Sequence, residues 1–169
     1  MNSVIHELAK AVRARRTDIG LTQSALAKLS GLSRATVNQL ESGLINDLSL
    51  SRTERLLSSI GLSMQVAGSG QRNPKTMRKT PALDLASQTA SVSYRTPLST
   101  RQLKQSLMTG HVPLEFQPHM HALLDEASVP LLAAVVEQVY EESSVEHQVT
   151  WTRMRCLAVD LKSKRELWN

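Results

Sequence analysis

The stretch from Thr22 to Gly43, TQSALAKLSGLSRATVNQLESG, constrains the fold most, because it predicts two short helices joined by a tight turn. Thr22 and Ser33 are each placed to cap a helix N-terminus, so the first helix is predicted over 23–29 and the second from 34 to about 42. Gly31 supplies the turn, since glycine adopts a positive φ at the least cost. The spacing of the apolar residues buries one face of each helix: Leu26, Ala27, Leu32, Val37 and Leu40.

The outward face of the second helix is polar. Arginine, asparagine and glutamine side chains can form paired hydrogen bonds with base edges in the major groove of DNA. The same two-helix pattern also fits an ordinary helical hairpin with solvated polar faces, so the pattern alone leaves both interpretations open. The outward residues of this helix are Arg34, Ala35, Thr36, Asn38 and Gln39.

The stretch resembles the Xre/Cro-type helix-turn-helix family of phage repressors and bacterial regulators. The residues that carry the resemblance, in order and without a gap, are Thr22-Gln23, Leu26-Ala27, Gly31-Leu32-Ser33, Val37 and Leu40-Glu41-Ser42-Gly43. In that family the glutamine that Gln23 matches contacts a phosphate and braces the recognition helix. The resemblance implies that the DNA-binding residues are Gln23, Ser33, Arg34, Ala35, Thr36, Asn38, Gln39 and Ser42.

Base reading would fall mainly on three of these residues. Ala35 cannot form hydrogen bonds with base edges, because its methyl group can contact only a thymine methyl. Arg34, Asn38 and Gln39 would then specify the sequence, while contacts to phosphate from Gln23 and the nearby residues would position the helix.

Two further helices are predicted around this stretch. Val4 to Arg16 forms an amphipathic helix, with a run of arginines at its C-terminal end that is either solvated or in contact with phosphate. A helix from about Ser51 ends at Gly61, and residues 62–66 alternate between apolar and polar as a short strand does. A disordered tail that begins at this point is the alternative to the strand.

Residues 47–62 look like the HipB-like antitoxin branch of the same family. The matching segments are Asp47-Leu48-Ser49-Leu50-Ser51, Arg55-Leu56-Leu57 and Ile60-Gly61-Leu62, although Thr53 and Glu54 depart from the apolar residues common there. The resemblance implies that the strand at 62–66 pairs with its two-fold mate in a homodimer. It also implies an antitoxin that represses its own operon and binds a cognate toxin.

The chain divides into three parts, and the predicted fold is mainly α. Residues 1–67 form a lambda-repressor-like helix-turn-helix bundle, and 68–96 form a linker that is rich in Gly, Pro, Lys and Arg up to residue 81. Within the linker, 82–96 is ambiguous between one helical turn and extended chain. Residues 97–169 form a small helical bundle, with helices predicted over 100–108, 118–126, 131–141 and 145–161. Few apolar contacts are expected to cross the linker, so the two outer parts should fold independently.

The charge distribution places a polyanion contact in the first half of the chain. Residues 1–80 contain 12 Lys/Arg against 5 Asp/Glu, a net charge of +7. Residues 81–169 contain 8 against 10, a net charge of −2. A basic first half beside a slightly acidic second half favours DNA as the partner of residues 1–67 only.

No catalytic residue, cofactor site or metal site is predicted. His119 and His121 are two apart on a predicted helix, so their side chains diverge and do not chelate together. The single Cys156 forms no internal disulfide, which fits a reducing cytoplasm. The acidic residues of the second half indicate a solvated face or a docking face for a basic partner: Asp125, Glu126, Glu137, Glu141 and Glu142.

The sequence therefore predicts a cytoplasmic transcriptional repressor that is not an enzyme and has no membrane span. Its expected partners are double-stranded operator DNA, a second copy of the chain in a homodimer, and a toxin protein bound by residues 97–169. One alternative is a stand-alone regulator whose C-terminal part oligomerises or senses a ligand. An enzyme of unknown type in the C-terminal half is a further alternative.

Overall fold

The structure, a computed structural model, describes residues 3–45, 47–65 and 80–168. Within these ranges the chain is helical and contains no strand, which confirms the predicted mainly α fold. A short 3-10 helix, Leu114–Phe116, precedes the seventh α-helix. The α-helices of the described ranges are α1 (Ser3–Ile19), α2 (Gln23–Ser30), α3 (Arg34–Glu41), α4 (Leu50–Ser59), α5 (Ala82–Ser91), α6 (Thr100–Thr109), α7 (Gln117–Glu126), α8 (Val129–Ser143) and α9 (His147–Asp160).

The predicted caps fix the start and end of α2 and the start of α3. The hydroxyl oxygen of Thr22 accepts a hydrogen bond from the Ala25 amide at 3.0 Å, and that of Ser33 accepts one from the Thr36 amide at 3.0 Å. Each cap satisfies an amide that has no partner within its own helix. Gly31 ends α2 with a φ of +65°, so the predicted turn residue is confirmed.

The predicted strand is absent from the part of it that the structure describes, because residues 62–65 follow α4 without regular secondary structure. A strand needs a second strand to accept and donate its backbone hydrogen bonds, and the prediction assigned that role to a second copy of the chain. Val66 and residues 68–79 of the predicted linker lie outside the described residues.

Helix α5 lies in the segment that the sequence assigns to a linker, and its 10 residues exceed the single helical turn that is one of the two alternatives predicted there. Leu83, Ala86 and Ala90 are buried on one side of it, against α6, α7 and α8. Its serines hold the segment that follows: the Ser87 hydroxyl donates to the Leu98 carbonyl at 2.6 Å, and the Ser91 hydroxyl oxygen accepts from the Leu98 amide at 2.9 Å. Ser87 and Ser91 therefore tie the segment that follows α5 to the helix.

Helices α5 to α9 pack as a bundle that is closed by the end of the described chain. Trp151 on α9 lies beside Trp168, with ring centroids 6.2 Å apart. The Trp168 indole donates a hydrogen bond to the Leu124 carbonyl at the end of α7, at 2.9 Å. These contacts fix residues 162–168 on the bundle. Apolar side chains with no accessible surface fill the interior: Leu83, Leu103, Leu107, Met120, Leu123, Leu124, Leu132, Val135, Val136, Val139, Met154 and Ala158.

The bundle and the N-terminal helices share one hydrophobic core. Helix α1 packs against α9, and α4 packs against α8. At the end of α4, a Cβ atom on Gly61 would lie 3.1 Å from the Ala133 Cβ and 3.1 Å from the Val129 carbonyl oxygen, so the two parts are in close contact there. The expectation that few apolar contacts join the two parts is therefore wrong. Helical periodicity identifies the apolar face of a helix, but it does not show that the helix packs against both its own part of the chain and the other part.

Candidate nucleic-acid interface

Helix α3 presents a polar face to solvent because its apolar face is used for packing. Val37 and Leu40 have no accessible surface, and the helix packs on α1 and α2. On the opposite face Thr36 is half-buried, and the other four predicted contact residues are exposed: Arg34, Ala35, Asn38 and Gln39. The side chains predicted to read DNA are therefore accessible together on one face.

Gln23 holds α2 and α3 in a fixed relationship at this face. Its side-chain amide donates a hydrogen bond to Glu41 Oε2 at 3.0 Å, and it lies 3.4 Å from Asn38 Oδ1. Gln23 is the first residue of α2, whereas Asn38 and Glu41 belong to α3. These contacts are consistent with the bracing role that the family resemblance implied for Gln23. Its contact with phosphate stays a prediction.

Glu41 is the centre of the network behind the face. Arg16 donates from Nε to Glu41 Oε1 at 2.6 Å and from Nη2 to Oε2 at 3.0 Å. The third nitrogen of Arg16, Nη1, donates to the Leu21 carbonyl at 2.7 Å. Only 3% of the Glu41 side chain and 16% of the Arg16 side chain are accessible. One arginine thus joins α1, the turn before α2 and the end of α3.

The pKa of the Glu41 carboxyl lies below its ordinary value. Burial acts in the opposite direction and raises the pKa, because it disfavours the charged form. The hydrogen bonds from Arg16 and Gln23, and then the positive charges of Arg16 and Arg13, outweigh burial. Glu41 is therefore charged at neutral pH and paired with the cation that it needs.

Sequence reasoning did not assign Arg16 and Glu41 this role. It placed Arg16 in a run of arginines that was either solvated or in contact with phosphate, and it used Glu41 only as part of the family pattern. A signal was present, because Glu41 follows Leu40 and lies four residues after Val37, on the apolar side of the helix. A carboxylate at a buried position requires a cationic partner.

Three hydroxyl groups of the predicted set are already engaged within the chain. The Ser33 and Thr36 hydroxyl oxygens are 2.8 Å apart at the start of α3. The Ser42 hydroxyl donates to the Asn38 carbonyl at 2.7 Å. A phosphate oxygen can only accept a hydrogen bond, so Ser42 must give up the bond to Asn38 in order to donate to phosphate. In this structure Ser33 and Ser42 serve the two ends of the helix.

The exposed face has the chemistry of a base reader. Arg34 and Asn38 are one helical turn apart, so they project from the same side of α3. A guanidinium can bind both acceptors of a guanine, and a carboxamide both groups of an adenine edge. Gln23, Arg34, Ala35 and Asn38 together line a shallow depression on this surface.

Residues 12–66 match a protein-family model described as Helix-turn-helix. This part of the chain is a helix-turn-helix domain. The matched range contains α2, α3 and α4 with the C-terminal part of α1 from residue 12, so every residue of the interface described above lies within it. The helix-turn-helix domain supports the assignment of the chain as a DNA-binding transcriptional regulator. Among curated proteins and solved structures, none matches the chain.

The histidines that the sequence singled out lie outside the helix-turn-helix domain. Among the described residues no group of three or more His, Cys, Asp or Glu side chains is arranged to hold a metal ion. His119, one of the two histidines that the sequence singled out, is buried, and its Nε2 lies 2.8 Å from the Thr96 carbonyl oxygen. Within residues 3–45, 47–65 and 80–168, no helix has the length and apolar character that a membrane crossing requires.

Proposed function

We propose that this protein is a repressor that recognises a specific DNA sequence through α3. The proposal rests on one observation: an exposed polar face of α3 is supported from behind by a buried ion pair. Arg34, Asn38 and Gln39 are accessible, whereas the Arg16–Glu41 pair behind them is mostly buried. A rigid support of this kind keeps base-reading side chains in one geometry and lowers the entropic cost of binding.

Repression would work by occupancy. The positive N-terminal part of the chain draws the protein to the phosphate backbone, and Gln23 at the start of α2 fixes the register. Helix α3 then enters the major groove, where Arg34, Asn38 and Gln39 contact base edges. A protein bound in this way at a promoter excludes RNA polymerase, so no catalytic group is needed.

Exposed apolar side chains before, on and after α4 in the chain support a dimer. Leu44 and Leu50 are 72% and 67% exposed, and Met64 is 48% exposed. Leu50 and Met64 also line a groove of about 310 Å³ between α4 and residues 62–64, together with Leu57 and Leu62. A second copy of the chain would cover this apolar surface and place a second recognition helix for an adjacent half-site.

Selection from a pool of random-sequence DNA duplexes tests the repressor proposal. The full chain should enrich one inverted repeat, with half-site centres about one helical turn, or roughly 34 Å, apart. The enriched sequence is called the selected duplex below. Enrichment of an unpaired half-site would contradict the dimer, and a pool that stays random would contradict sequence-specific binding.

An antitoxin role is the second candidate. The resemblance of residues 47–62 to the HipB-like branch favours it, and so does a groove of about 850 Å³ between α5 and α8. The groove has an apolar side lined by Leu85, Pro130 and Leu131 and an acidic end at Glu137 and Glu141. A groove with an apolar side and an acidic end fits a basic segment of a partner protein. A toxin encoded beside this chain is the partner that the resemblance implies.

Copurification from the native host separates the antitoxin from the stand-alone regulator. The full chain should retain the protein encoded by the adjacent reading frame. Ala134→Arg, which places a large cationic side chain in the groove, should reduce that recovery at least about tenfold, because it covers apolar surface and repels a basic segment. The control is Val92→Arg, which places the same charge at a site that is 83% exposed. Recovery of no neighbour-encoded protein by the unmodified chain would favour the stand-alone regulator.

A further inference from the structure

The side chain of Arg155, on α9 of the bundle, contacts the turn that leads into the helix-turn-helix. Its Nη2 donates a hydrogen bond to the Ile19 carbonyl at 2.8 Å. Ile19 is the last residue of α1, so its carbonyl has no amide partner within that helix. A guanidinium at this position satisfies the carbonyl and complements the negative end of the helix dipole.

Gly20 provides the space for this contact. Its φ is +77°, and a Cβ atom built on it would lie 2.6 Å from Arg155 Nη1. A residue with a side chain would be strained by the positive φ and would also displace the guanidinium. Gly20 and Arg155 therefore fit each other across a sequence separation that spans most of the chain.

Arg16 also contacts this turn. Arg155 binds the carbonyl of Ile19, and Arg16 binds the carbonyl of Leu21 at 2.7 Å. Two residues after Leu21, α2 begins at Gln23, which donates to Glu41 on α3. A series of direct hydrogen bonds and short backbone segments thus connects α9 of the bundle with the recognition helix.

We infer that Arg155 is a positioning residue for DNA recognition, through which the C-terminal bundle sets the orientation of α2 and α3. This inference rests on the proposed function of the helix-turn-helix domain. A displaced turn at residues 19–21 moves the start of α2, and the Gln23 brace moves with it. The bundle therefore contributes to DNA affinity without touching DNA. A partner that rearranges α9 changes DNA affinity, and DNA changes the affinity for that partner by the same factor.

Loss of Arg155 should leave the bundle attached, because other contacts join the two parts. Gly61 packs on Ala133 and Val129 of α8, and α1 packs on α9. The Lys28–Glu166 ion pair, at 2.7 Å, also crosses between the parts, but both side chains are more than half exposed and such pairs contribute little. A change in DNA affinity can therefore be separated from a loss of folding.

The test compares Arg155→Met with the unmodified full chain, with the selected duplex as probe. Methionine retains much of the aliphatic side chain but cannot donate to the Ile19 carbonyl. Circular dichroism first establishes a temperature at which both proteins are folded. Affinity for the selected duplex should then fall at least about fivefold, the lower end of usual coupling between sites. The control is Arg101→Ala, which removes one positive charge from an exposed position on α6.

A double-mutant cycle distinguishes positioning from a separate effect. Gln23→Ala alone and Arg155→Met alone should each weaken binding. If Arg155 acts through the turn and Gln23, the double variant should lose clearly less affinity than the product of the two single losses. Losses that multiply, or an Arg155→Met variant that binds like Arg101→Ala, would overturn the inference. Arg155→Lys serves as the second variant if Arg155→Met does not fold. Its affinity for the selected duplex should be lower than that of the unmodified chain. An unmodified chain that selects no duplex would instead contradict the proposed function.

Discussion

Arg16 and Glu41, 25 residues apart in sequence, form a two-point ion pair with donor–acceptor distances of 2.6 and 3.0 Å. The pair joins the C-terminal end of α1 to the last residue of α3. A planar guanidinium that meets both oxygens of a carboxylate fixes direction as well as distance. The recognition helix is therefore held at its C-terminal end by a contact with a narrow geometry.

Glu41→Ala should destabilise the full chain by about 2–3 kcal/mol, because it leaves Arg16 without its partner in a mostly buried position. Denaturation by urea measures the free energy of unfolding. Glu54→Ala is the matched control, since Glu54 is an exposed glutamate on α4 and its removal should change the stability by less than about 0.5 kcal/mol. Equal effects of the two substitutions would show that the Arg16–Glu41 pair adds no stability.

The stabilisation from Glu41 should disappear in acid. The pKa of this carboxyl in the folded protein is below its ordinary value of 4.5, so the contribution is complete above 4.5 and is lost as the pH falls through the lowered value. The difference in unfolding free energy between the unmodified chain and Glu41→Gln should therefore be constant near neutral pH and shrink below pH 4.5. A difference that grew on acidification would mean that the folded-state pKa is raised.

The local features of the helix-turn-helix could be predicted because they depend on near neighbours in sequence. Thr22, Gly31 and Ser33 act on amides and carbonyls within a few residues, and the structure places all three as expected. The apolar spacing likewise predicted the buried face of α3, with Val37 and Leu40 inside. The DNA contacts themselves involve a second molecule and stay predictions.

The features that the sequence did not reveal depend on residues that are distant along the chain. Arg16 pairs with Glu41, and Arg155 contacts the turn at Ile19, but neither partner can be identified from local spacing. The segment that contains α5 was ambiguous between one helical turn and extended chain, because the contacts that hold this helix, such as the bond from Ser87 to Leu98, do not appear in local spacing. The core that the N-terminal helices share with the bundle could not be predicted, because the sequence does not show which helices pack against each other across the two parts.

Gly61→Ala should reveal the contact between α4 and α8. Gly61 and Gly43 both have a positive φ, +72° and +68°, so alanine is strained by a similar amount at each. At Gly61 the new Cβ would also lie 3.1 Å from the Ala133 Cβ, while at Gly43 the nearest atom would be a ring nitrogen of His6 at 3.7 Å. In urea denaturation, Gly61→Ala should therefore lower the free energy of unfolding by about 1 kcal/mol more than Gly43→Ala, because added volume in a packed region is destabilising. Equal costs would contradict close packing of α8 on residue 61.

A fragment of residues 1–67 should be less stable than the same residues in the full chain. Removing the bundle exposes the surfaces of α1 and α4 that face α9 and α8. Exposure on the order of 100 Å² of apolar surface would cost about 2.5 kcal/mol. Hydrogen exchange of α1 and α4 amides in the fragment and in the full chain measures the difference. Equal protection in the two proteins would show that the helix-turn-helix domain does not depend on the bundle.

The affinity of Arg34→Ala for the selected duplex and for a scrambled duplex of equal length tests the central claim most directly. Arg34 is exposed at the start of α3, and a paired arginine–guanine contact provides about 1–3 kcal/mol of discrimination. The substitution should therefore weaken binding to the selected duplex by roughly five- to 150-fold, while binding to the scrambled duplex changes much less. Arg101→Ala should change neither affinity. Equal losses on both duplexes would show that Arg34 contacts only phosphate, and no loss on either would contradict recognition through α3.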